Sequence, residues 1–413
     1  MDDTFRIERY RRSDREQVFA LMRVAYQPNE VAREIKQWDW KHDRNPFNAE
    51  AERYRIANRP RILPFVRAAA RPEDLAAMEL RGPQSDNLDE PCCILLRKAG
   101  ELVGMFCFVP QRFMISGAEH WAIIGSNFIV HPAYRGHQLG VRLSLTMRAD
   151  NALNLNFSNQ SGQRSSESTN RTLFGKRSEA AVESNDAITS SQRLTPLFKP
   201  IDWYEVVGLL SSSTFLRKSA AIVGSGLELA RRSVSWEHPS QRIRILEVDS
   251  LKDRIDEFWN RVHHDYPVIA VRDQRYLDWR FAARPDVSYR YLVALADSNL
   301  AGYMVFRMAD RDGMPCGNVV DFLIENRSFE VFTRLLKHAE QSMKDAGAKA
   351  IICGVASMPY RSMLWRSGYF PVRTAATPHL NTIRLSSDPA LRVFTDVRRW
   401  FVTMGDGNLD FFS

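Results

Sequence analysis

The stretch IIGSNFIVHPAYRGHQLGVRLSLTMRA (residues 123–149) joins an apolar run to a helix-like segment through a turn holding one arginine and two glycines. A strand that feeds a helix in this way presents unpaired backbone N–H groups at the helix start, where the macrodipole is positive. Gly136 and Gly140 remove side chains that would keep an anion at a distance, and Arg135 adds a fixed charge. The turn is therefore a candidate pyrophosphate cradle. It matches neither the dinucleotide fingerprint GxGxxG nor the phosphate loop GxxxxGK[ST].

Hydrophobic periodicity on either side predicts a mixed succession of strands and helices. TFRIERY reads as an opening strand, DREQVFALMRVAY as an amphipathic helix, and CCILLRKAGELVGMFCFVPQRFMI as two strands with a turn at Lys98 to Glu101. A strand around LNLNF follows the turn and its helix. The second half repeats this order: RIRILEV, SLKDRIDEFWNRVHH, YRYLVALADSNLAGYMVFRM, NVVDFLIE, SFEVFTRLLKHAEQSMKDAG and AKAIICGV. Two local matches in the same order point to duplication: WKHDRNP with WRFAARP, and ELVGMFCF with NLAGYMVF. The second copy lacks the glycine turn and carries Glu325 near the corresponding position, where it repels an anion.

VHPAYRGHQLG resembles the acetyl-CoA turn of the GNAT superfamily of N-acetyltransferases, whose motif is [RQ]xxGx[GA]. Val130, His131, Pro132, Tyr134, Arg135 and Gly140 stand in their places, while Gln138 replaces the middle glycine. The resemblance implies an α/β (α+β) fold of two tandem domains, each a mixed, mostly antiparallel sheet flanked by helices, the second degenerate. The expected boundaries are 1–208 for the first domain, with an insertion at about 49–90, then a linker helix at 209–240 and the second domain at 241–413. It also implies acetyl-CoA or another acyl-CoA as co-substrate, without a metal. The pantetheine arm would pair with the backbone of Phe128, Ile129 and Val130, and the pyrophosphate with that of Arg135, Gly136, His137, Gln138, Leu139, Gly140 and Val141.

Acyl transfer to an amine also needs a proton acceptor and a proton donor. In the family the base often lies on the strand before the turn, which points to Glu119 or His120; Asn159 and Gln160 would line the substrate site. The family's acid is usually a tyrosine, but NQSGQRSSESTNRTLFGK contains none, leaving Ser165 or water. His131 and His42 read as structural residues of the turn and of the WKH motif. The five cysteines, without a CxxC pair, read as packed, reduced thiols.

At 413 residues the chain exceeds the size of one hydrophobic core, so two domains are expected. A net charge of +8 spread along the chain forms no lysine-arginine block, and no nucleic-acid partner is expected. With neither a signal-type apolar segment nor a run able to cross a bilayer, the sequence reads as cytoplasmic. The arginine-rich insertion reads as a cover for the cleft or a partner for an anionic substrate. The expected activity is N-acetyl (or other acyl) transfer to a small molecule, amino sugar or peptide. Two alternatives are a FemAB-type aminoacyl transferase and a non-catalytic scaffold.

Overall fold

The computed structural model describes residues 5–79, 90–158, 189–208, 218–219, 222, 243–252, 254–311, 313–372 and 377–407. Asn159, Gln160, Ser165 and nearly all of the expected linker helix at 209–240 lie outside the described residues.

The first half opens with β1 (Phe5–Arg9), α1 (Arg15–Ala25) and α2 (Pro28–Trp38). Val18, Leu21 and Met22 recur at helical spacing on α1 and bury one face together with Val31 and Trp38 of α2. A π-helical turn (Asp39–Asp43) leads to α3 (Asn48–Asn58), α4 (Pro64–Ala69) and α5 (Pro72–Glu79). Next come β2 (Cys93–Lys98), β3 (Glu101–Ile115) and β4 (Ala118–Val130). These three strands are joined by two-residue turns at Ala99-Gly100 and Ser116-Gly117, all four residues with positive φ. Turns of that geometry match the twist of the paired strands. After β4 follow α6 (Leu139–Arg148), β5 (Leu153–Ser158), β6 (Thr189–Arg193), β7 (Leu197–Pro200) and α7 (Trp203–Gly208).

The second half repeats the plan with β8 (Ile243–Val248), α8 (Ile255–Val262), β9 (Val268–Ala270), α9 (Gln274–Leu277) and a second π-helical turn (Asp278–Ala282). It continues through β10 (Arg290–Ala296), β11 (Asn299–Arg311), β12 (Met314–Ile324), α10 (Phe329–Asp345), β13 (Ala350–Cys353), α11 (Met358–Arg366), β14 (Phe370–Pro371), β15 (His379–Arg384) and β16 (Trp400–Phe401). The β10–β11 connection, Asp297-Ser298, again has two residues at positive φ.

Two mixed, mostly antiparallel sheets result, flanked by helices. The first runs β1-β2-β3-β4-β5-β15-β6, with β9 along β3 and β16 along β9; the second runs β14-β7-β13-β12-β11-β10-β8. Strands are exchanged between the halves: β15 pairs with β5, and β7 pairs with β13. The sheets therefore cross the boundaries at 208 and 241, and each half completes the other's sheet.

The insertion packs along α6. Ile62, Val66 and Ala70 join Leu145 and Ala149 in one apolar cluster. Arg142 of α6 makes a two-pronged bond to Asp74, at 2.7 and 2.6 Å. Arg55 and Arg59 reach Asp150, just beyond α6.

Candidate functional site at the open edge of β4

β4 pairs with β3 along its whole length, to Val130 opposite Gly104, but a bulge interrupts the register at Asn127, which has φ 27°. On the other side its parallel pairing with β5 covers only Ile123 with Asn154 and Ile124 with Leu155. From Gly125 to Val130 the β5-facing edge of β4 has no ladder partner among the described residues. The two strands thus diverge into a slot, and an extended chain can hydrogen-bond to the free edge. The predicted contacts Phe128, Ile129 and Val130 are on that edge.

The edge runs into the turn read from sequence. After a 3-10 turn at Pro132–Tyr134, Arg135 is extended, Gly136 has φ 91°, and Gln138 caps α6 in the left-handed region at φ 57°, ψ 14°. That conformation is the one glycine adopts freely, which explains why a glycine suits this position and what the glutamine costs, about 1 kcal/mol. The Gln138 carbonyl still accepts the first helical bond, from Arg142 N at 3.0 Å. Residues 135–138 are exposed, and the first N–H groups of α6 point the same way as in any helix start. Gly140 is needed for another reason: a Cβ there would lie 2.9 Å from Cζ of Phe128, so α6 could not rest as closely on β4. His131 caps the turn by accepting from Ala133 N at 3.2 Å, the structural part expected of it.

A buried polar cluster lies behind the bulge, on the α1-α2 side. Lys41 Nζ donates to Glu34 Oε2 at 3.0 Å and to Asn127 Oδ1 at 3.2 Å. Asn127 Nδ2 donates to Glu34 Oε2 at 2.8 Å, and Ser126 Oγ donates to Asn127 Oδ1 at 2.8 Å. His42 Nε2 is 3.1 Å from the same Oδ1, so its proton sits on Nε2. Burial, then the Lys41 charge, pushes His42 down to about 3, which keeps the ring neutral. Burial alone would raise Glu34, but Lys41 and the Asn127 bond outweigh it and hold the carboxyl at about 2. Burial, and after it the Glu34 carboxylate, raises the Tyr26 phenol at the end of α1 above its usual value.

Sequence reasoning missed Tyr26, Glu34, Lys41 and Asn127. Their one textual trace is Lys41, the base following tryptophan in the duplicated motif. His42 stays structural, as expected.

Glu119 and His120 are elsewhere. They pair with Met114 and Phe113 at the start of β4, seven and eight residues before Asn127, or roughly 20–25 Å along an extended strand. Glu119 lies 3.7 Å from Arg112, and burial raises its carboxyl. His120 Nδ1 is 2.8 Å from the Tyr54 hydroxyl, and burial lowers its ring. The structure does not bring this pair together with the turn. Among the described residues no group of His, Cys, Asp or Glu is gathered to hold a metal, and no helix is long and apolar enough to cross a membrane. None of the five cysteines is in a disulfide, and four of them are buried.

The corresponding place in the second half is filled. β12 has its own bulge, between Val319 and Asp321, and β12–β13 pairing stops at Val319 with Cys353. The segment 400–407 enters there: Gly405 N donates to Val320 O at 2.7 Å, and Ala356 N donates to Val402 O at 2.9 Å. Arg272, buried with Asp321 and Asp406 at 3.1 and 2.8 Å, locks it in place.

The model of the acetyltransferase (GNAT) family matches residues 32–149, which take in the C-terminal part of α2, the bulge and the turn. No curated protein matches the sequence. Among solved structures the chain is similar to a conserved protein of unknown function from Enterococcus faecalis V583, named a probable N-acyltransferase, at 10% identity and TM-score 0.50. The match covers 92% of this chain and 72% of that one. It is equally similar to a GCN5-related N-acetyltransferase from Anabaena variabilis, at 8% identity and TM-score 0.50, with the same coverage of 92% and 72%. At these identities the likeness concerns the fold.

Proposed function

The chain is a member of the GNAT superfamily, and on that premise we propose that its first half transfers an acyl group from acyl-CoA to an amine. The observation that supports this most is the continuity of the free β4 edge with the turn that starts α6. A cofactor whose pyrophosphate rests on residues 135–141 sends its extended arm back along Val130, Ile129 and Phe128. Its thioester then stands at the Asn127 bulge, where the strands part. Direct attack of the amine gives a tetrahedral oxyanion, and backbone N–H groups at the bulge are the nearest donors to it. No cysteine nucleophile is required.

Acetyl is the acyl group we favour, with a small molecule, amino sugar or peptide as acceptor and the cytoplasm as the compartment. A proton acceptor drawn from Glu119 or His120 requires an acceptor molecule long enough to run down β4. Asn159 and Gln160 remain proposed substrate contacts. The second half, its own slot filled by segment 400–407, would serve to complete the first sheet and the acceptor cleft. The FemAB-type alternative has less support, because transfer from charged tRNA does not use a CoA pyrophosphate cradle. Calorimetry with acetyl-CoA tests the proposal: binding in the micromolar range is expected, and no binding at high micromolar concentration would favour the scaffold reading.

A further inference from the structure

We propose that Phe106, standing over Gly125 at the closed end of the slot, restricts the acyl group to acetyl. The inference rests on the acyl-CoA reading above and names the residue that sets the acyl length. An arm running back along Val130, Ile129 and Phe128 brings its thioester to the Asn127 bulge, and the acyl group then points on toward Gly125. That is where the slot ends, because β4 and β5 close on each other at Ile124 and Leu155.

The room left over Gly125 is that of one carbon. A Cβ placed on Gly125 would lie 3.4 Å from Cε2 of Phe106 and 3.4 Å from Oδ1 of Asn156. Those are close-packed separations, so a methyl group fits there and a longer chain does not. Phe106 comes from β3 and Asn156 from β5, one on each side of Gly125. An alkyl chain pushed past them would also cover the Asn156 amide without offering it a hydrogen bond, which adds a desolvation cost.

The Phe106 ring has no room to swing aside. Its centroid lies 4.1 Å from that of Phe108 and 4.6 Å from that of Phe128, and all three rings pack against the cluster that holds Leu139, Leu143 and Met147 of α6. Phe128 is in turn pressed by α6, whose Gly140 permits the close approach. The turn that would hold the pyrophosphate and the wall that limits the acyl group are thus linked through one line of contacts. A long chain has no exit on the α1-α2 side either. There the Asn127 side chain is held by Lys41 and Glu34, and an alkyl group entering would break those buried bonds.

The test is calorimetry of the full chain with CoA, acetyl-CoA and hexanoyl-CoA, the two thioesters being judged relative to CoA so that no acyl acceptor is needed. The parent should bind hexanoyl-CoA roughly tenfold or more weaker than acetyl-CoA, the scale of forcing extra methylenes into a packed site. Phe106→Ala should bring hexanoyl-CoA level with acetyl-CoA or ahead of it, since each methylene buried in the vacated space is worth roughly fourfold in affinity. Gly125→Ala should act at the other end of the scale: its methyl takes the space of the acetyl methyl, and acetyl-CoA should lose roughly fivefold relative to CoA. A general packing defect would weaken CoA and both thioesters together and leave these ratios unmoved. Phe106→Leu, which keeps an apolar side chain against Phe108 and Phe128, carries the same prediction on a smaller scale if thermal melting shows that Phe106→Ala does not fold. A parent that binds hexanoyl-CoA as tightly as acetyl-CoA would overturn the proposal, as would a ratio in the Phe106 variants equal to the parent's. A parent that binds neither CoA nor its thioesters removes the acyl-CoA reading itself, a distinct result.

Discussion

Trp40 and Trp279, one from each half of the chain, stack with ring centroids 5.1 Å apart and planes 20° from parallel. Each indole N–H donates to the other's backbone carbonyl, Trp40 to Trp279 at 2.6 Å and Trp279 to Trp40 at 3.1 Å. The reciprocal bonds make the pair a local two-fold at the join, with each tryptophan on a π-helical turn. The duplicated motif is thus the contact through which the two copies hold each other.

Trp40→Ala should therefore destabilise the whole chain, by about 3–5 kcal/mol for a buried tryptophan. It also leaves the Trp279 carbonyl without its donor. Urea unfolding followed by circular dichroism checks this; a loss below about 1 kcal/mol would show that the join does not depend on the pair.

The duplicated syntax was legible because periodicity, hairpin turns and the WKH/WRF match are local features. The exchange of β7 and β15 was not, since nothing in LFKP or HLNTIR states which of two similar sheets takes the strand. The pyrophosphate turn was legible from Gly136 and Gly140. The Asn127 bulge was hidden, because GSNFIV reads as continuous strand and a skipped register is a property of the pair β3–β4. Glu34 and Lys41 sit on and just after an amphipathic helix, where charge normally signals solvent. Only folding shows that they face Asn127.

Gln138→Gly should leave stability unchanged or raise it by up to about 0.5 kcal/mol, the left-handed penalty of about 1 kcal/mol at φ 57° less the entropy that glycine adds to the unfolded chain. Acyl-CoA affinity should hold or improve, because the backbone donors of the turn are kept. A glycine variant that melts lower and binds acetyl-CoA more weakly would mean the glutamine side chain itself contacts the ligand.

Arg135→Ala should leave stability within about 0.5 kcal/mol, because the side chain is exposed and makes one long bond, Nε to Val130 O at 3.4 Å. The affinity for acetyl-CoA should fall by roughly tenfold, consistent with the loss of one charge-assisted contact to phosphate. The parent's affinity should weaken as salt rises, and the variant's less so. Calorimetry at two ionic strengths measures both quantities.

Acid should unfold this protein through the cluster at the bulge. His42 falls from 6.5 to about 3 and Glu34 from 4.5 to about 2, so each binds its proton more tightly in the unfolded chain. The unfolded state then takes up more protons as pH drops, and stability falls with it. The His42 part is fully present above pH 6.5 and is lost as pH falls toward 3; the Glu34 part is present above 4.5 and lost toward 2. From His42 alone the loss between pH 7.5 and 5 is about 2 kcal/mol. Urea midpoints over that range should drop accordingly, and in His42→Gln the slope between pH 6.5 and 5 should flatten, since an uncharged amide can still donate to Asn127. An unchanged slope in that variant would place the acid-sensitive group elsewhere.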